Sequence, residues 1–156
     1  MPDRNLEKIK QQAEKFYKSV KSVECPYFKE SIAFNAKGLR HIKFKRDREA
    51  RKRQDQFVRL KEIRHAPAIL KKSHTLQEIR REQGFVEVKT NKRKERVLKP
   101  ITYYGFVAIV KDGRYEKRFK VIVKQIEGGQ KHFWSIIPFW KSNREIKLHS
   151  GNPETD

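Results

Sequence analysis

Apolar residues recur at intervals of three and four along the first stretch of the chain. Leu6, Ile9, Ala13, Phe16, Tyr17 and Val20 share one face, which predicts an amphipathic helix over residues 6–20 with Asp3 or Asn5 as its cap. Pro26 ends any helix there. Over residues 30–45 the pattern reads partly as strand. Ile32 and Phe34 alternate, Asn35-Ala36-Lys37-Gly38 supplies a turn, and a short strand follows. Leu39, His41, Lys43 and Lys45 would share one face of that strand, and Arg40, Ile42 and Phe44 the other. A long helical stretch over about residues 47–65 carries a thin apolar stripe of Ala50, Phe57, Leu60 and Ile63. Pro67 suits the first turn of a second short helix bearing Ala68, Ile69 and Leu70. Thr75 and Glu78 form a capping box before Leu76 and Ile79, with Gly84 as C-terminal cap, which predicts a third short helix.

From Gly84 onward the period is two. Residues 85–88 start a strand, and the basic stretch 89–99 reads as a charged hairpin tip or loop. Three strands follow over residues 103–111, 115–126 and 131–140. They are joined by the turns Lys111-Asp112-Gly113-Arg114 and Glu127-Gly128-Gly129-Gln130. The order predicts an α+β fold, with N-terminal helices packed on a C-terminal antiparallel β-meander. Residues 1–22 form the N-terminal helix, 23–141 a single α+β domain, and 142–156 a flexible polar tail.

Composition changes this picture in one respect. Charged residues make up 37% of the 156 positions, with a formal net charge of +20. Leu, Ile, Val and Phe still supply about a quarter of the chain, enough for a core. A small core inside a very basic surface implies a polyanionic partner: RNA, DNA or an acidic protein. No apolar run is long enough for a membrane span, and the N-terminal stretch lacks the apolar centre of a secretory signal; both predict a cytoplasmic protein without a membrane partner. A single Cys25 allows neither an internal disulfide nor a cysteine-based zinc site, and reads as a small buried hydrophobe.

The candidate chemistry is that of nucleic acid. Residues 40–53, 89–99 and 114–124 are three separate basic segments. Each reads alone as a solvated face, but together they suit phosphates. On the strand 115–126, Arg118, Lys120 and Lys124 alternate with Phe119, Val121 and Val123, either as an ordinary solvent face or as a cationic floor for a phosphodiester. Phe133, Ser135, Ile137 and Phe139 share one face of the last strand, and Trp134, Ile136 and Pro138 the other; its aromatics read as core or as a stacking platform. No phosphate-binding glycine loop, zinc motif or close pair of aspartates is present, so no cofactor or metal is expected. RNA permits cleavage without metal. Its 2′-OH attacks the adjacent phosphorus, given a proton acceptor, a proton donor for the leaving 5′ oxygen and cations for the phosphorane. Of the five histidines, His74 and His149 are set aside, His65 reads as a helix-end residue and His132 opens the last strand. His41, beside Lys43 and Lys45, ranks first, with an ordinary surface histidine as its alternative.

Three stretches together resemble small phage- and plasmid-borne proteins of the barnase–EndoU–colicin–RelE group of ribonucleases. They are Val23-Glu24-Cys25-Pro26-Tyr27-Phe28 with residues 32–42, the middle from Arg59-Leu60-Lys61-Glu62-Ile63 to Ala66-Pro67-Ala68-Ile69-Leu70, and Arg118-Phe119-Lys120-Val121-Ile122-Val123 with residues 132–138. The resemblance implies helices followed by a four-stranded antiparallel sheet. It also implies a metal-independent endoribonuclease, the toxin of a toxin–antitoxin pair with an acidic antitoxin as partner. It points to His41, Lys120, Arg118 and Ser135 as catalytic residues, and to Lys43, Lys45, Arg59, Arg64, His132 and Trp134 as contacts to RNA. One conflict stands: Lys120 and Ser135 fall on opposite faces unless the last strand bends or shifts register. The other reading is a non-catalytic basic RNA- or DNA-binding protein.

Overall fold

A computed structural model describes residues 2–46, 49–139 and 152–156. Helix α1 (Pro2–Val20) places Ala13 and Tyr17 in the core. Strands β1 (Ser22–Cys25) and β2 (Glu30–Ala33) pair antiparallel, with Ser22 opposite Ala33 and Val23 and Cys25 buried. The short strand expected over residues 39–45 is instead mostly helix α2 (Ala36–Lys43). The reason lies at Asn35: its side-chain oxygen accepts the Gly38 amide at 3.3 Å, so residues 35–38 are a helix start and not a reversal. Gly38, Leu39, His41 and Ile42 then form its buried face. Strands β3 (Phe44–Arg46) and β4 (Glu49–Ala50) make a small separate sheet.

The long helix expected over residues 47–65 is shorter and later. Helix α3 (Arg53–Glu62) runs through a 3-10 turn, Ile63–His65, into α4 (Ala66–Lys72), with Pro67 in its first turn. The third short helix does not form. Strand β5 (Glu78–Thr90) begins within that stretch and pairs residue for residue with β6 (Arg93–Asp112), Gly84 facing Lys99. Continuous cross-strand pairing overrides a local capping signal. The Asn91-Lys92 link carries positive φ at both residues, the backbone of a tight two-residue hairpin. Strands β7 (Tyr115–Ile126) and β8 (His132–Phe139) complete the meander.

The fold is α+β, with a six-stranded sheet ordered β1-β2-β8-β7-β6-β5. Every neighbouring pair is antiparallel except β2 with β8, where Ala33 aligns with His132. Phe106, Phe119, Val121, Val123, Phe133 and Ile136 pack with the helices in the larger core cluster. The opposite sheet face holds a smaller cluster of Ile101, Tyr103, Ile122 and Ile137. Helix α3 serves both: Leu60 joins the larger cluster and Val58 packs on the smaller. The β7–β8 register shifts between Ile122 and Val123, so Ser135 faces Ile122 while Phe133 faces Val123, with Trp134 bulged between them. That extra residue brings Ser135 onto the Lys120 face and removes the expected conflict.

Among the described residues no helix is long and apolar enough to cross a membrane. Trp140 and residues 142–151 of the expected last strand and tail lie outside the described residues. Of the expected tail, residues 152–156 are described, and Pro153, Thr155 and Asp156 are buried.

Candidate functional site

Helix α2 lies close against β8 because residue 38 lacks a side chain. A Cβ there would overlap the Phe133 main-chain oxygen and come within 2.6 Å of the Tyr17 hydroxyl. The approach sets the His41 ring on the bulged Trp134, with centroids 3.8 Å apart and planes 16° apart. Arg51 grips the same histidine twice. Its Nε donates to the His41 main-chain oxygen at 2.9 Å, and its Nη2 lies 2.9 Å from His41 Nε2. A guanidinium has only donors, so Nε2 accepts and the imidazole is neutral, with its hydrogen on Nδ1. Burial, then the charges of Arg51, Arg59 and Lys124, push the His41 pKa down to about 2.

Arg59, on α3, is fully buried. Its Nε donates to Asp55 Oδ1 at 2.6 Å and its Nη1 to Ser135 Oγ at 2.5 Å. Arg51 Nη1 donates to the other oxygen of Asp55 at 3.4 Å, so one carboxylate bridges two guanidinium groups. Burial lowers the pKa of both arginines, that of Arg51 to about 10, while Asp55 and Asp156 oppose the shift. The main-chain oxygen of Asp156 accepts from Ser135 Oγ at 2.5 Å, from Arg51 Nη2 at 3.3 Å and from Arg59 Nη1. Residues 152–156 thus cover the cluster.

Beside it, Lys124 Nζ sits 3.9 Å from the centre of the Trp134 ring and 5.6 Å from that of Tyr103. Burial lowers its pKa to about 8. His132, at the start of β8, is buried with Nδ1 donating to the Phe133 oxygen at 3.0 Å, and burial lowers its pKa to about 4. An open pocket of about 380 Å³ adjoins the cluster, lined in part by Lys120, Tyr103, Glu78 and Pro153.

No family model, curated protein or solved structure matches this chain.

Of the residues singled out from sequence, His41, Arg59, Trp134 and Ser135 meet in one cluster, with His132 flanking Trp134 at 6.1 Å between ring centres. Arg59 is a buried residue of the cluster, not a surface contact. Lys120 lies in the adjoining pocket, ion-paired with Glu78. Arg118 is exposed on β7, four residues from Ile122 and therefore roughly 13 Å along the strand from the position facing Ser135. Lys43 ties α2 to α1 through Glu14 at 2.8 Å, and Lys45 and Arg64 are exposed outside the cluster. Sequence reasoning missed Arg51, Asp55 and Asp156 as members of the site, and reached Lys124 only as part of a cationic strand face. The spacing Arg51–Asp55–Arg59, two successive steps of four, was the available signal for the first two. Among the described residues no three His, Cys, Asp or Glu side chains converge as a metal site.

The cluster combines a neutral imidazole, a hydroxyl, two guanidinium groups and a nearby ammonium whose pKa burial lowers to about 8. Groups of these types can move a proton and stabilise charge on a phosphorus centre.

Proposed function

We propose that this chain is a metal-independent endoribonuclease of the barnase–EndoU–colicin–RelE type, the toxin of a toxin–antitoxin pair. The observation that carries the reading is the meeting of His41, Arg59 and Ser135, brought from α2, α3 and β8 into one buried cluster. In the proposed reaction the ribose 2′ oxygen attacks the adjacent phosphorus and the bond to the 5′ oxygen breaks. His41 Nε2 takes the 2′ proton once the anionic phosphate enters beside it and draws Arg51 away, both of which raise the pKa that burial and the neighbouring cations hold down, and the Lys124 ammonium protonates the leaving 5′ oxygen. Arg51, Arg59 and Ser135 hold the phosphorane oxygens. The products are a 2′,3′-cyclic phosphate and a 5′-hydroxyl. Lys120, two residues from Ile122 on β7, contacts the neighbouring phosphate. An acidic antitoxin segment would cover the same cations.

The competing reading is an RNA-binding protein without catalysis. It is favoured by the basic β5–β6 hairpin, whose charge needs no chemistry to explain it. Expression in a bacterium separates the two: the enzyme arrests growth and fragments cellular RNA, and His41→Ala relieves the arrest while the protein accumulates. Arrest that persists in the His41→Ala strain, or no arrest from the unaltered chain, contradicts the nuclease reading.

A further inference from the structure

The occupant of the cluster defines what the cluster binds. Arg51 and Arg59 are both buried, and the single carboxylate of Asp55 bridges them. Two buried guanidinium groups facing one carboxylate leave a positive charge that burial makes costly. Residues 152–156 answer that charge. Asp156 is buried to 1% exposure, and donors from α3, from β8 and from the link before α3 meet on its main-chain oxygen. Two of those donors are guanidinium groups and the third is a hydroxyl, a set that suits the oxygens of a tetrahedral oxyanion.

The segment is also held as a folded unit. The Asp156 and Thr155 amides donate back to the Asn152 oxygen at 2.9 and 3.1 Å, and the Trp134 indole nitrogen donates to the Pro153 oxygen at 2.9 Å. Trp134 therefore touches both the covering segment and His41. Pro153 reaches the adjoining pocket, so the segment runs from that pocket into the buried donors.

We propose that Arg51, Arg59 and Ser135 form an oxyanion-binding subsite for one phosphate group, and that residues 152–156 occupy it as an intramolecular stand-in which a phosphodiester must displace. This rests on the nuclease reading only for the identity of the phosphodiester as RNA. A tethered segment competes at an effective concentration on the order of millimolar, so the unaltered chain binds free phosphate weakly.

Inorganic phosphate is the probe, titrated at constant ionic strength while tryptophan emission and the melting temperature are followed. In the full-length chain with residues 152–156 replaced by Gly-Ser-Gly-Ser-Gly, saturable binding tightens at least about tenfold over the unaltered chain. Adding Ser135→Ala to that chain weakens binding about tenfold, the loss of one hydrogen bond to an anion. Should the replaced chain not melt cooperatively, Asp156→Asn takes its place, keeping the backbone and removing one carboxylate, and tightens phosphate binding by a smaller factor. No saturable phosphate binding in a folded variant, equal binding with and without the segment, or indifference to Ser135→Ala overturns the proposal. Phosphate bound in this way with RNA left intact overturns the nuclease reading alone.

Discussion

Arg59 and Ser135 are joined by a hydrogen bond of 2.5 Å although 76 positions separate them in the chain. The bond fastens α3 to β8, and Asp55 one turn earlier fixes the guanidinium that makes it. The link is strong only while its charges balance, because an unpaired buried cation costs several kcal/mol.

Asp55→Ala tests that balance. It leaves Arg51 and Arg59 facing each other without their shared carboxylate, and is expected to destabilise the fold by about 3 kcal/mol, read from urea unfolding at neutral pH. Phosphate restores part of that loss in the variant and less in the unaltered chain. A variant as stable as the parent contradicts the arrangement.

The state of His41 predicts a pH dependence. Its folded pKa is held near 2 against an ordinary value of 6.5, with burial the main cause. The unfolded chain therefore takes up a proton as pH falls below about 6.5 and the folded chain does not. This contribution to stability is complete above pH 6.5 and is lost as pH falls toward 2. His132, held near 4, acts in the same direction over a narrower range. The difference in urea midpoint between pH 7 and pH 4.5 is expected to shrink in His41→Gln. An unchanged difference indicates an imidazole open to solvent.

The legible parts of the fold were those set by local chemistry. The Asp-Gly turn, the alternation along β7 and the stripe of α1 each fix their element from a few residues. The errors came where a distant partner decides. Residues 39–43 read as strand because alternation and helical spacing coincide over so short a run, and Asn35 at its start settles the matter as a cap. The capping box at Thr75 and Glu78 gave way to the thirteen residues of β5 pairing along β6. Ser135 could not be assigned to its face from alternation, because the bulge at Trp134 reverses the phase of the residues after it. Within the candidate site, His41 stands out by its chemistry, and Ser135 by the resemblance alone. Arg51 and Asp55 were passed over as members of a charged run, whose ordinary fate is solvent.

The β5–β6 hairpin extends beyond its pairing with β7, which begins at Ile101. Residues 84–99 of that arm carry exposed Phe85 and Leu98, with Arg96 stacked over Phe85 at 5.5 Å. Lys89, Lys92, Arg93 and Lys94 cluster at its tip. Changing all four to glutamine is expected to flatten the dependence of RNA affinity on salt by about three in the logarithmic slope, at an unchanged melting temperature. An unaltered slope places RNA elsewhere on the surface.

If the cluster around His41, Arg59 and Ser135 breaks RNA by the RNA's own ribose hydroxyl, the cut ends carry the record. The most direct measurement is the end chemistry of RNA incubated with purified protein in EDTA, using both the unaltered chain and the chain with residues 152–156 replaced. The expected ends are 2′,3′-cyclic phosphate and 5′-hydroxyl, formed faster by the replaced chain and lost in His41→Ala while RNA binding persists. RNA left whole by both folded proteins, or fragments bearing 5′-phosphate ends, would contradict this mechanism.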